Sequence, residues 1–85
     1  MPTIVSAGNV LVPAYLALVA KGYRVTRAKT GRREDPEEWR ATKGAARFVA
    51  EDPLSLLGLV AMREARGRRW EASDAEIDAF FDRFP

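Results

Sequence analysis

Arg40 and Arg47 lie on either side of Lys43-Gly44 in the run PEEWRATKGAARFVAE, residues 36–51. Guanidinium forks match the geometry of carboxylates and phosphates, so a pair of them on one surface is a candidate anion-recognition site. With Lys43 and Gly44 as the loop of a β-hairpin, Thr42 faces Ala45, Ala41 faces Ala46, Arg40 faces Arg47 and Trp39 faces Phe48. Side chains alternate along a strand, so Trp39, Ala41, Ala46 and Phe48 share one face and the two arginines share the other. An aromatic cross-strand pair favours this register by roughly 0.2–1 kcal/mol. Glycine tolerates positive φ and suits the second central position of the turn, whereas lysine suits the first poorly. Like charges directly opposite repel. Either solvent with Glu37, Glu38 and Glu51 relieves them, or an acidic or phosphate-bearing partner does.

The remaining chemical inventory is sparse. The chain has no Cys and no His, which removes disulfides, thiolate nucleophiles, the usual zinc ligands and the commonest general base. Ser6, Gly8 and Asn9 form a strand-to-helix turn whose backbone N–H groups could cradle an anion. The turn is neither a GxGxxG fingerprint nor a P-loop, and a tight βα turn is the plainer reading. Arg32-Arg33 and Arg68-Arg69-Trp70 are short basic clusters, the second with an aromatic ring able to stack on a base. Nucleic-acid domains carry a larger basic excess, and Trp70 reads better as an anchor for the last helix, covered by arginine stems. Glu34, Asp35, Glu37 and Glu38 have no apolar shield to raise a pKa, and Ser6, Ser55 and Ser73 have no His partner. The expectation is a non-catalytic domain without cofactor or metal.

These residues need elements to position them. A chain of 85 residues makes one domain, residues 1–85, with a modest core. Its 47% hydrophobic and 31% charged residues are those of a folded globule. The net charge of +2 conceals alternating blocks. Residues 21–35 and 53–70 are basic; residues 71–85 hold five acidic side chains against one arginine. The acidic last helix is therefore expected beside the basic 63–69 segment. Thr3–Ala20 is uncharged for eighteen residues, but Gly8, Asn9 and Pro13 interrupt it and no basic residue precedes it. A strand and a buried helix are expected there, not a membrane span or a signal peptide.

Along the chain, Thr3–Ser6 reads as a short strand and Leu11–Lys21 as a helix apolar nearly all round, stopped by Gly22. Tyr23–Lys29 follows as a strand, in a βαβ unit or beside an antiparallel neighbour. Residues 30–37 form a loop, then comes the hairpin. Asp52-Pro53 opens a helix to Arg66, with Leu54, Leu57, Val60, Ala61 and Ala65 as its core stripe. Gly58 is expected to permit close packing. Leu56, Leu59 and Met62 form an apolar surplus. Ser73–Glu76 is a capping box, and Ile77, Phe80, Phe81 and Phe84 make one stripe on the last helix.

The resulting fold class is α+β: a single-layer sheet of three or four strands, in chain order β-α-β-β-β-α-α, with helices mainly on one face. Its inner hairpin face packs on Leu16, Leu57 and Phe81. The outer face is open and basic, with Arg40 and Arg47 at its centre and Arg27 beside them. The expected function is protein binding in the cytoplasm, as an adaptor or inhibitor, through Arg27, Arg40 and Arg47 or through Leu59 and Met62. Arginine is over-represented at such interfaces. A homodimer is the other use of the apolar surplus. Nucleic-acid binding through Arg32, Arg33, Arg68, Arg69 and Trp70 is the alternative, and a small enzyme or anion site at Ser6–Asn9 the next.

Overall fold

A computed structural model describes residues 2–28 and 37–85 of the chain. Helix α1 spans Leu11–Ala20, strand β1 Arg24–Ala28, β2 Glu38–Lys43, β3 Ala46–Ala50, helix α2 Pro53–Arg66 and α3 Asp74–Arg83. Short 3-10 turns cover Gly8–Val10 and Gly67–Arg69. The class is α+β, and from α1 onward the order α-β-β-β-α-α is the expected one. The sheet is three-stranded and antiparallel, in the order β1-β2-β3. Thr3–Ser6 forms no strand: Ile4 is 84% exposed. Only Ile4 and Val5 of this run are apolar and neither is buried, so no burial offsets the cost of ordering a strand there. With that strand absent, α1 enters β1 beside an antiparallel neighbour, and no βαβ crossover forms.

The hairpin forms around Gly44-Ala45, one residue later than the sequence implies. Gly44 has φ +58° and Ala45 has no positive φ, the combination of a II′ turn with glycine at its first central position. Lys43 therefore pairs with Ala46, Thr42 with Arg47, Ala41 with Phe48, Arg40 with Val49 and Trp39 with Ala50. The expected Arg40–Arg47 and Trp39–Phe48 pairs are absent. Moving the turn by one residue moves each partner by two, a full side-chain period, so the faces survive and the pairs do not. Lysine is poorly suited to a central turn position, and here Lys43 ends β2 instead. Its ammonium donates to the Lys21 carbonyl at 2.8 Å and lies 5.5 Å from the Tyr23 ring centre. It thus meets the carbonyl end of α1, where helix carbonyls lack partners and cations are favoured. The ring that meets Phe48 edge-on is Tyr23, with centroids 5.9 Å apart.

Helices α1 and α2 cover the inner face. Leu18, Ala41, Leu56 and Val60 form the core, each with no exposed surface, and Val25, Trp39, Phe48, Ala50 and Leu57 pack around them. Leu56, expected as surplus, is the centre of the α2 stripe. Leu54, Ala61 and Ala65, expected in the stripe, are exposed. Pro53, Leu56 and Val60 recur every three to four residues, so the helix is turned by about one residue from the expected face. Asp52 caps α2 by accepting the Ser55 N–H at 2.7 Å. Among the described residues, no atom beyond Gly58's own helical turn lies within 4 Å of where a Cβ would sit, so it serves no close packing.

Leu16 and Phe81 do not join the core; both are exposed. Helix α1 buries Ala14 and Leu18 but leaves Val12, Leu16 and Val19 in solvent, so it is covered on one side only. Helix α3 has the expected span and capping box, yet it makes no extensive packing with α1 or the sheet.

The core and the open helix surface should respond differently to substitution. Ala41→Leu should destabilise the fold by about 1–3 kcal/mol through overpacking. Ala46→Leu, on the same face but exposed, should stay within about 0.5 kcal/mol of wild type in urea unfolding. Gly58→Ala should raise stability by about 0.5–1 kcal/mol, read in the same experiment, because the site is open and helical.

Candidate functional site

The outer face of the sheet carries the side chains that alternation turns away from the helices. From β1 these are Arg24, Thr26 and Ala28; from β2, Glu38, Arg40 and Thr42; from β3, Arg47 and Val49. The core residues Val25, Ala41 and Phe48 all have the opposite parity. Arg24, Thr42 and Arg47 are Cα partners across the three strands and form one rung. Thr26, Arg40 and Val49 form the next. With strands spaced about 4.8 Å apart, Arg24 and Arg47 rise from backbone positions about 10 Å apart, with the Thr42 hydroxyl between them.

The arginines on this face differ in commitment. The Arg40 guanidinium donates through Nε (2.9 Å) and Nη2 to one Glu38 oxygen, and the pair is half-buried. Arg24 and Arg47 are exposed, and among the described residues no carboxylate forms an ion pair with either. The rung therefore presents two guanidinium groups to solvent with fork geometry available to carboxylates. Arg27 is not part of it. It pairs with Trp39 on the inner side of the sheet, its guanidinium 5.5 Å from the indole centre and 3.6 Å from a Glu37 oxygen. Glu37 also accepts the Trp39 indole N–H at 3.1 Å. Arg24 is absent from the sequence candidates although its signal is present there: with Val25 inward, Arg24 and Thr26 must face out and Arg27 must face in.

The other sequence candidates lie elsewhere. Ser6, Gly8 and Asn9 are exposed and follow no strand; Val10 N–H closes the turn on the Ala7 carbonyl at 3.2 Å. The expected βα turn is thus not built. Arg32 and Arg33 lie outside the described residues. Arg68, Arg69 and Trp70 are exposed at the end of α2, on the helical side. Leu59 and Met62 are half-buried. Met62 and Trp70 line an open groove of about 690 Å³ whose far wall is Ile77, Phe80 and Phe81 of α3. A second groove, of about 290 Å³ and wholly apolar, lies between the start of α1, Trp39 and Pro53.

Arg66 organises the α2–α3 connector. Its Nε donates to the Trp70 carbonyl at 2.8 Å, and its Nη2 to the Glu71 carbonyl at 3.3 Å and to Glu76 Oε1 at 3.0 Å. This ion pair is where the acidic last helix meets the basic 63–69 segment. Glu76 also accepts the Ser73 backbone N–H at 2.9 Å, closing the capping box. The Ser73 N–H first, and the Arg66 guanidinium second, hold the Glu76 carboxyl below its ordinary value.

Among the described residues, no helix is long and apolar enough to cross a membrane, and no group of three or more Asp or Glu side chains could hold a metal ion. No protein-family model, curated protein or solved structure matches the chain.

Because the folded value of Glu76 is depressed, its ionised form favours the capped, clamped connector above the ordinary carboxylate pKa of about 4.3. That contribution is lost as pH falls through the folded value. A carbon-detected NMR titration of the Glu76 carboxyl should give a midpoint below the ordinary one. In Arg66→Ala the midpoint should move only part of the way back, since the Ser73 N–H remains. A wild-type midpoint at or above the ordinary value would contradict the clamp.

Proposed function

We propose that this chain is a non-catalytic protein-binding domain that docks an acidic surface of another protein on the outer face of its sheet. The observation that carries the proposal is the Arg24–Thr42–Arg47 rung, two exposed guanidinium groups on a sheet face that neither α1 nor α2 covers. Carboxylates spaced by about two strand widths, on a partner's strand edge or helix, match the pair. Arginine at such a face gives both charge complementarity, which steers encounter, and a planar fork, which fixes geometry. Arg40 already donates to Glu38 and takes a lesser part.

A protein partner fits this face better than a nucleic acid does. Single-stranded nucleic acids are held by aromatic platforms interleaved with cations. The outer face offers none: Tyr23, Trp39 and Phe48 have the inward parity, and Trp70 stands at the α2–α3 junction. Glu38 and Val49 also interrupt the positive surface. The cytoplasm is the setting proposed for this role, which a cysteine-free chain suits.

The double substitution Arg24→Glu with Arg47→Glu should leave the fold intact and weaken capture of the partner by about 10-fold or more, mostly through slower association. Arg40→Ala should have the smaller effect. Wild-type affinity should fall with added salt. Unchanged capture by the double variant would remove this face as the binding site. A linear fall of log K with log salt for an oligonucleotide, abolished by the same variant, would replace the protein with a nucleic acid.

A further inference from the structure

Two helices of this chain carry apolar stripes that stay largely exposed among the described residues. On α1, Val12, Leu16 and Val19 recur at i, i+4 and i+7, and Val12 is 66% exposed. On α3, Ile77, Phe80 and Phe81 recur at i, i+3 and i+4, with Phe84 just past the helix end against Phe80, and Phe81 is 61% exposed. Single exposed apolar residues are ordinary, but contiguous stripes on two helices are not. The two stripes are part of a total exposed surface of 7203 Å², above the about 5,000 Å² of a compact monomer of 9.5 kDa, to which the exposed N-terminal segment also contributes.

We propose that two copies of this chain form a two-fold dimer in which α3 of each copy covers the outer stripe of α1 in the other. Both halves of the interface, donor and receiver, belong to one chain, and self-complementarity of this kind is what an isologous contact requires. The helices match in length, ten residues each. Helix α1 has no charged residue, so the contact strands no ion there. Asp74, Asp78 and Asp82 lie on a separate side of α3 and stay in water. The apolar groove beside Leu11, Val12 and Tyr15 adjoins the α1 stripe and receives an aromatic ring of the arriving helix. Within one chain, Arg66 donates to the Trp70 and Glu71 carbonyls and to Glu76, and in this connector arrangement the α3 stripe does not lie on the α1 stripe. The dimer contact lies on the helical side and is independent of the Arg24–Arg47 face.

The test has two arms on the full chain. In a mixed sample of isotope-labelled and unlabelled protein, filtered NOEs should connect Phe80 and Phe81 of one copy to Val12 and Leu16 of the other. In sedimentation equilibrium, the wild type should be a dimer. Leu16→Glu and Phe81→Lys, each alone and checked for an intact fold by amide NMR dispersion, should raise the dimer dissociation constant about 30-fold or more, the scale of a hot-spot loss. Mixing the two variants should restore dimers. One α1–α3 contact is then wild type, and the other brings the introduced carboxylate on α1 to the introduced ammonium on α3 as a charge pair. A wild-type monomer at all concentrations overturns the proposal, with same-chain α1–α3 NOEs indicating self-closure and none indicating a foreign partner. A dimer that neither substitution weakens overturns it as well. Arg24→Glu with Arg47→Glu should stay dimeric, so failure of the sheet-face reading and failure of this one give different results.

Discussion

Ala41 is the point on which the rest of the molecule turns. It sits in the central strand between Val25 and Phe48, and its methyl group is fully buried under Leu18 of α1 and Leu56 and Val60 of α2. A small side chain there lets two helices lie side by side on three strands. A larger one would force them apart, since protein interiors have no spare volume. With both helices committed to that face, no helix among the described residues lies over the opposite one. Exposure of the arginine rung is therefore a consequence of how the core is filled.

The position of one turn decides which arginines share that rung. Gly44 at the first central position makes a two-residue II′ connection, and every cross-strand pair follows from it. Binary alternation was legible without knowing the turn, because a shift by a full period leaves each residue on its face. Pairing was not legible in the same way, since Lys43-Gly44 and Gly44-Ala45 keep the same alternation. What separates them is long-range: Lys43 at the strand end reaches the carbonyl terminus of α1, a contact between residues 22 positions apart. Helix ends were the most readable features. Asp52-Pro53, Gly67 and Ser73–Glu76 satisfy or release backbone groups locally, and all act where their chemistry places them.

Apolar surface was legible as surface to be covered, but not as to what covers it. Periodicity marks a stripe; it carries no information about the neighbour. Hence Leu56 could be taken for surplus while it is core, and Leu16 and Phe81 for core while they are exposed. Arg27 shows the same limit in electrostatic form. One strand contributes Arg24 to the outer face and Arg27 to the inner one, and only the parity set by Val25 separates a solvent-facing charge from one packed on an indole.

The two proposed surfaces lie on opposite sides of the sheet, and this has a consequence when both are used. Pairing through the helical layer removes apolar area without touching the arginine rung. A dimer built this way carries two such rungs, related by the two-fold axis. An acidic partner that presents its carboxylates twice, or is itself dimeric, then meets the second rung at a high effective concentration, and avidity multiplies a modest single-site affinity without any new contact. Each rung by itself is small, with exposed and screened charges, and isolated exposed pairs contribute little. In the proposed dimer, doubling by symmetry is the physical route by which so small a basic face would gain strength. Helical-side association and sheet-side recognition are in this sense complementary uses of one asymmetric layer arrangement.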